Sequence, residues 1–342
     1  VTPSSAAITI GSSVSLTASG ASTYSWSPST GLSAANTAAV TATPTTTTTY
    51  TVTGTSSFCS STSTVTVTVN PALTAGSISA NQTICVGAIP AAFTSTTDAA
   101  GGTGSITYVW ESSTDGTSFS LISGVASSTY SPGAVSVNTY FRRGASTAND
   151  AIVYSSPVLI TVQESLGGSI AGSATVCAGT NSTVLTLSGQ TGSITKWQSS
   201  LTSNFASATD ISNTTASLTA TNLSATTYYR AVITLGSCTA VNSSTATISV
   251  TALPSISVTP SSASITTGSS VSLTASGATT YSWTPSTGLS ATNTAAVSAS
   301  PTVTTTYTVT GTRSSCSSTA TITVTVTAAV SLDTDGDGVL DS

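Results

Sequence analysis

The sequence predicts an all-β protein built as a file of small sandwiches, and three observations carry that prediction. Apolar residues alternate with Ser and Thr at a period of two, Gly and Pro punctuate the alternating runs, and one block of the chain recurs almost verbatim. The stretch VTPSSAAITIGSSVSLTASGASTYSWSPSTGLS, which begins at Val1, returns as VTPSSASITTGSSVSLTASGATTYSWTPSTGLS from Val258, and most differences exchange Ser, Thr and Ala. The two copies run to Ala72 and Ala329. A block reused this faithfully is a folding unit, and such repeats place function in the array more than in any one pocket.

Within the first block the alternation is strict. Val14, Leu16 and Ala18 alternate with hydroxyl residues, as do Tyr24 with Trp26, Val40 with Ala42, Tyr50 with Val52, and Val65 and Val67 with Val69. Each run presents one apolar face, and the β-branched Thr on the other face favours extended structure over helix. Gly11, Gly20, the stretch from Pro28 to Gly31, Pro44 and Gly54 mark the turns. Six or seven short strands, with Trp26 in the third and Tyr50 near the start of the penultimate, predict an immunoglobulin-like sandwich with Trp26 as a core plug.

The next two stretches carry a longer version of the same pattern. Residues 72–163 place Trp110 in the third strand, Tyr140 at the corner position, and Val158, Ile160 and Val162 in the last strand. Residues 164–252 repeat this second type with Trp197, then Tyr228 and Tyr229. The expected division is therefore 1–71 (type a), 72–163 (type b), 164–252 (type b), 253–329 (type a) and an acidic tail at 330–342. For brevity these are modules one to four.

Composition narrows the function. Only 4% of the 342 residues are charged, so hydroxyls supply most of the polar surface. Disorder is disfavoured, because it accompanies low hydrophobicity and high net charge. Four of the ten acidic residues sit in the last ten positions, which leaves six against five basic residues in the rest. A body so nearly neutral offers no stripe for nucleic acid and no polybasic membrane patch. No apolar run is long enough to span a bilayer, so direct membrane insertion is not expected. With neither an initiating Met nor a signal peptide, the chain reads as a mature or excised piece of a secreted protein.

The motifs GSITYVWESSTDGTSF with NTYFRR, TTYYRAVIT, and TYSWSPSTGLS and TYSWTPSTGLS followed by TTTYTVTGT resemble the tandem immunoglobulin-like and PKD-like arrays of large secreted Bacteroidota surface proteins, among them gliding adhesins and adhesin-like filaments. The resemblance covers roughly Val1 to Ala329. It implies an extracellular, cell-surface location and an adhesive or structural role, although such modules also serve as spacers in secreted hydrolases.

The five cysteines are an odd number. Cys177 near a first strand and Cys238 in the hairpin before a last strand share one module and are expected to pair. A loop of about sixty residues would then contribute roughly 4 kcal/mol in the chain-entropy model. Cys59 and Cys316 hold equivalent hairpin positions in the two type a modules, and Cys85 lies in the first-strand region of module two, where Asn149 and Asp150 replace the hairpin cysteine. For these three, unpaired relics and bonds to a neighbouring molecule are both open.

The tail reads SLDTDGDGVLDS. Asp333, Asp335 and Asp337, then Gly338 and Asp341, follow the D-x-D-x-D-G-x-x-D pattern of calcium loops and resemble thrombospondin type 3 repeats. Carboxylates at alternate positions converge as such a loop curls, Gly338 permits the turn, the Val339 carbonyl adds an oxygen, and Asp341 ligates directly or through water. The expected cofactor is calcium in a weak or partial site, with a solvated acidic linker as the competing reading.

No catalytic constellation can be assembled from the sequence. The chain has no His, so it lacks an imidazole base for Ser or Cys and His-based zinc sites. Glu111 and Glu164 fall in different modules, and Asp98, Asp115, Asp150 and Asp210 fall in expected turns. Modules one, two and four lack Lys, which excludes Lys–Asn isopeptide staples there, and Lys196 beside Trp197 is expected to face solvent. The sequence thus predicts a non-enzyme: a semi-rigid stalk or filament, about 120–150 Å long for four modules in file. The alternative is a spacer or carbohydrate-binding part of a larger secreted enzyme, with Tyr108, Phe119 and Tyr154 as the aromatics to test. Expected partners are further copies of the chain, through strands such as Thr321 to Thr327 if they lie at an edge, and a surface glycan or protein.

Overall fold

The computed structural model describes residues 1–329. The calcium-loop residues Asp333, Asp335, Asp337, Val339 and Asp341 lie outside the described residues. The chain is all-β, a tandem array of immunoglobulin-like sandwiches, and its contacts divide it into two compact units, Val1–Glu164 and Ser165–Ser342. Each unit contains two separate apolar cores.

In module one the strand Ser5–Thr9 runs parallel to Cys59–Asn70, which pairs antiparallel with Thr48–Ser56, and that strand pairs in turn with Thr23–Ser27. Val14–Thr17 and Ala39–Ala42 form the facing sheet. Leu16, Ala18, Trp26, Val40, Ala42, Tyr50, Val52, Val65 and Val67 are all buried between the sheets, so the alternation read from the sequence is realised strand by strand. Module four repeats the order with Ala263–Thr266, Cys316–Thr327, Thr305–Arg313 and Thr280–Thr284. The Thr321–Thr327 stretch therefore lies inside its sheet, flanked by two partners, and is not an edge strand.

The type b modules add strands to this plan. In module three, Thr209–Ile211, Ser193–Ser200, Thr227–Thr234, Ala246–Thr251 and Ala174–Cys177 form one sheet, and Ser169–Ala171, Ser182–Ser188 and Ser217–Thr221 form the other. Asp210 thus sits in an edge strand, not a turn, and pairs with Lys196 at 2.6 Å. Module two has the same main sheet, with Gln82–Cys85 running parallel to Val158–Gln163.

Four tryptophans close the four cores by one rule. Trp26, Trp110, Trp197 and Trp283 are buried, and each indole N–H donates to a backbone carbonyl, of Thr37, Ser127, Thr215 and Thr294, at 2.9–3.0 Å. The ring supplies apolar area while its one donor is satisfied, which is what makes Trp tolerable at full burial. Tyr50 and Tyr307 follow suit, donating to the carbonyls of Thr30 and Thr287. Module two departs from the expected corner: Tyr140 is only half-buried, and Phe141 enters the core beside Phe93. The strand faces decide this, because the inward series on Thr139–Ser146 is Phe141, Arg143, Ala145.

Arg143 is the exception that the alternation could not announce. It pairs across from Trp110, where Val52, Ala231 and Val309 pair with the other tryptophans. It is completely buried, and among the described residues no carboxylate pairs with it. Its guanidinium donates to the carbonyls of Ala75 (2.7 Å), Ser128 (3.0 Å) and Thr97 (3.4 Å) and to the Ser95 hydroxyl. One side chain thereby ties the entry segment of module two to both of its sheets. Arg143→Ala should destabilise the protein by about 3 kcal/mol or more, since it leaves several buried acceptors unpaired. Arg142→Ala on the outer face should cost about 1 kcal/mol. Thermal unfolding of the two variants checks this, and equal losses would contradict it.

Candidate functional sites at the module junctions

The parallel pairing of the first edge strand with the last strand fixes which groups each module presents at its two poles. A strand that runs parallel to the last one ends beside the chain exit, at the pole that leads into the next module. The hairpin before the last strand lies at the opposite, entry pole. In module three Cys177 pairs in register with Thr251 at the exit, while Cys238 sits in the connection that precedes Ala246–Thr251. The two cysteines are therefore at opposite ends of one sandwich, and the expected Cys177–Cys238 bond does not form.

Cys177 instead bonds Cys316 in the hairpin of module four, 139 residues away in sequence. The bond crosses a junction of connected modules within one unit. Cys85 and Cys238 are each disulfide-bonded as well, so Cys85, like Cys316, is not an unpaired relic. Cys59 is exposed and is the free cysteine among the described residues.

The junction between modules one and two joins the same two places with polar groups. Thr9 ends the parallel edge strand of module one, in register with Asn70, as Cys177 does in module three. Asp150 stands in the hairpin of module two, where module four carries Cys316. The Thr9 hydroxyl donates to Asp150 Oδ1 at 2.5 Å and lies 2.9 Å from the Thr103 hydroxyl. The Thr103 N–H and the Thr147 hydroxyl both donate to Asp150 Oδ2 at 2.6 Å. Gly101 and Gly102 make this approach possible: the Gly102 N–H donates to the Pro71 carbonyl at 2.9 Å, and a Cβ on Gly101 would lie 2.3 Å from the Ala72 carbonyl oxygen. Both glycines have positive φ, which other residues adopt at a cost.

The candidate glycan-stacking aromatics are otherwise engaged. The Arg142 guanidinium lies over the rings of Phe119 (4.0 Å) and Tyr154 (3.8 Å) and forms an ion pair with Glu111 at 2.6 Å. The Tyr154 hydroxyl donates to the same Glu111. Burial first, and then this carboxylate, push the Tyr154 hydroxyl above its usual range. Tyr108 is half-buried beside Arg143. Module three repeats the device with Arg230 over Phe205 at 4.2 Å and hydrogen-bonded to Gln198. Among the described residues, no group of three His, Cys, Asp or Glu side chains is placed to hold a metal, and no helix is long and apolar enough to cross a membrane.

Comparison with known proteins matches residues 74–164 and 166–252 to one family, described as Domain of unknown function (DUF8696). No curated protein matches the chain. Solved structures with a similar arrangement include three titin immunoglobulin domains, I67–I69, at 12% identity and a TM-score of 0.43, covering 72% of this chain and 95% of that one. The N-terminal four immunoglobulin domains of Dscam1 isoform 6.9 match at 11% identity and a TM-score of 0.25, covering 94% and 97%. Sidekick-1 immunoglobulin domains 1–5 match at 10% and 0.31, covering 95% and 79%.

The polar junction carries a pH signature. Hydrogen bonds from the Thr147 hydroxyl first, then the Thr9 hydroxyl and the Thr103 N–H, hold the Asp150 carboxyl below the usual carboxylate range. A depressed carboxyl contributes stability that is complete above its unfolded pKa and is lost as pH falls through the folded value. Asp150→Asn should therefore lower the thermal midpoint at pH 7, and the gap from wild type should narrow as pH falls below the usual carboxylate range. A gap that stays constant over this range would contradict the assignment.

Proposed function

The chain belongs to the family described as Domain of unknown function (DUF8696), and we propose that it is a structural and adhesive shaft of an extracellular bacterial surface protein. The observation that carries this reading is the recurrence of one junction. The end of a parallel edge strand is pinned to the entry hairpin of the following module by Thr9 and Asp150 in one case and by Cys177 and Cys316 in the other. Pins at equivalent places limit bending between successive modules, and linkers such as Asn70-Pro71 and Leu253-Pro254 are short and contain Pro. An array of this kind transmits force and holds its ends apart. The disulfides suit an oxidising, extracellular setting, and the hydroxyl-rich, nearly uncharged surface suits a scaffold better than a charged-ligand receptor.

The acidic tail adds a calcium-stabilised junction after module four. Asp333, Asp335, Asp337 and Asp341, with the Val339 carbonyl, would supply the hard oxygen ligands that calcium takes. Association between copies of the shaft, and a surface glycan or protein ligand, complete the reading.

Small-angle scattering of the chain should give a maximum dimension of about 120–150 Å, as expected for four domains in file. A compact value would contradict the shaft. Calorimetric titration with calcium should release heat that Asp335→Asn abolishes, and no calcium-dependent heat from wild type would remove the tail site without affecting the shaft.

A further inference from the structure

The near-identity of modules one and four allows one to be read as a template for the other. In module four the entry pole is covered by the segment that leads into it. Ile256 packs on the edge of the core, a Cβ on Gly311 would come within 2.3 Å of Ile256 Cδ1, and a Cβ on Gly277 would come within 1.9 Å of the Ser255 carbonyl oxygen. Beside this seat, Cys316 bonds Cys177 of the preceding type b sandwich.

Module one has the same parts with the same spacing: Ala21, Tyr24, Gly54 and Cys59 correspond to Ala278, Tyr281, Gly311 and Cys316. Here the seat is an open cavity of about 140 Å3, lined by Val1, Ala18, Gly20, Ala21, Tyr24 and Gly54 among others. A Cβ on Gly20, the counterpart of Gly277, would meet nothing within 4 Å. At the rim, Cys59 is exposed and free, and Phe58 beside it is fully exposed, at 105%. Phe58 is the most exposed large apolar side chain among the described residues, and it stands next to the free Cys59 thiol.

We propose that this pole of module one receives a type b sandwich, in a junction of the Cys177–Cys316 kind. An apolar linker residue of that partner fills the Gly54 cavity, and Cys59 forms a disulfide with the cysteine that ends the partner's parallel edge strand. The proposal rests on the array reading, since it extends the same junction by one module, but it does not require the shaft to bear load. The bond forms by exchange with an oxidised low-molecular-weight disulfide such as oxidised glutathione. The Cys59 thiolate attacks one of its sulfurs and releases one thiol. The partner thiolate then attacks the Cys59 sulfur of the mixed disulfide and releases the second thiol. Two electrons and two protons leave the pair of cysteines, and one small disulfide becomes two thiols.

The test adds a second copy of residues 165–257 ahead of Val1 in the full chain, in a glutathione redox buffer. Free thiols are then alkylated and disulfides mapped by mass spectrometry without reduction. The unextended chain should show Cys59 alkylated almost completely. The extended chain should show at least about a tenfold drop, with Cys59 recovered in a monomer linked to the added copy of Cys177. A second chain guards against poor folding of the extension: in Cys316→Ser the native Cys177 is released, and dimers linked Cys59 to Cys177 should form as concentration rises, which reports the same bond made between chains. A Cys59–Cys177 link from either chain supports the proposal, the monomer assigning it to one chain and the dimer to two. Alkylated Cys59 in both chains, or Cys59–Cys59 dimers as the main product, overturns it. Scattering dimensions of the unextended chain are unaffected by either result, so failure here is distinguishable from failure of the shaft reading.

Discussion

The parallel pairing between the first edge strand and the last strand of each module is the constraint on which the rest depends. In an antiparallel arrangement that edge strand would end at the entry pole, and its terminal residue would face its own hairpin. Because it runs parallel, Thr9 pairs with Asn70 and Cys177 with Thr251, so the terminal side chain is delivered to the following module. The hairpin before the last strand stands at the other pole, where in modules two and four it meets the preceding module. In each of the two units the edge strand of the first sandwich meets the hairpin of the second, and the chemistry of these halves decides how firmly the two are held.

Two chemistries use that geometry. Thr9 and Asp150 join through hydrogen bonds that include a carboxylate, a charge-assisted contact stronger than a neutral one but open to acid and solvent. Cys177 and Cys316 join covalently and respond only to reductant. Asp150 accepts from two hydroxyls and a backbone N–H, and the reach of one of these hydroxyls from module one fits a structural role at the junction. The buried Arg143 has the same logic inside module two, where its two terminal nitrogens reach three carbonyls and the Ser95 hydroxyl, which lie too far apart for one neutral side chain to join.

Much of this was legible in the sequence. Alternation of apolar residues with Ser and Thr placed the strands of module one and their inward faces, and the single Trp of each module marked its core. What the sequence concealed was polarity along the sandwich. Cys177 and Cys238 belong to one module, so pairing them seemed natural until the parallel register put them at opposite poles. Arg143 was concealed for a related reason: NTYFRR offers two aromatic and two basic residues in a row, and only the register with Trp110 decides which of each turns inward. Phe119 and Tyr154 looked available for sugar because their sequence neighbours gave no hint that Arg142 would lie against both rings. The acidic tail remains a reading of spacing alone.

If junctions between modules, not single pockets, carry the behaviour of this chain, stretching a single molecule by its two ends is the most direct measurement. The Cys177–Cys316 bond keeps 139 residues from extending fully. Pulling under reducing conditions should therefore lengthen the fully unfolded chain by at least about 480 Å over the oxidised one, at roughly 3.5 Å per residue. Equal contour lengths in the two conditions would show that no disulfide links modules three and four, and would contradict a covalently pinned junction.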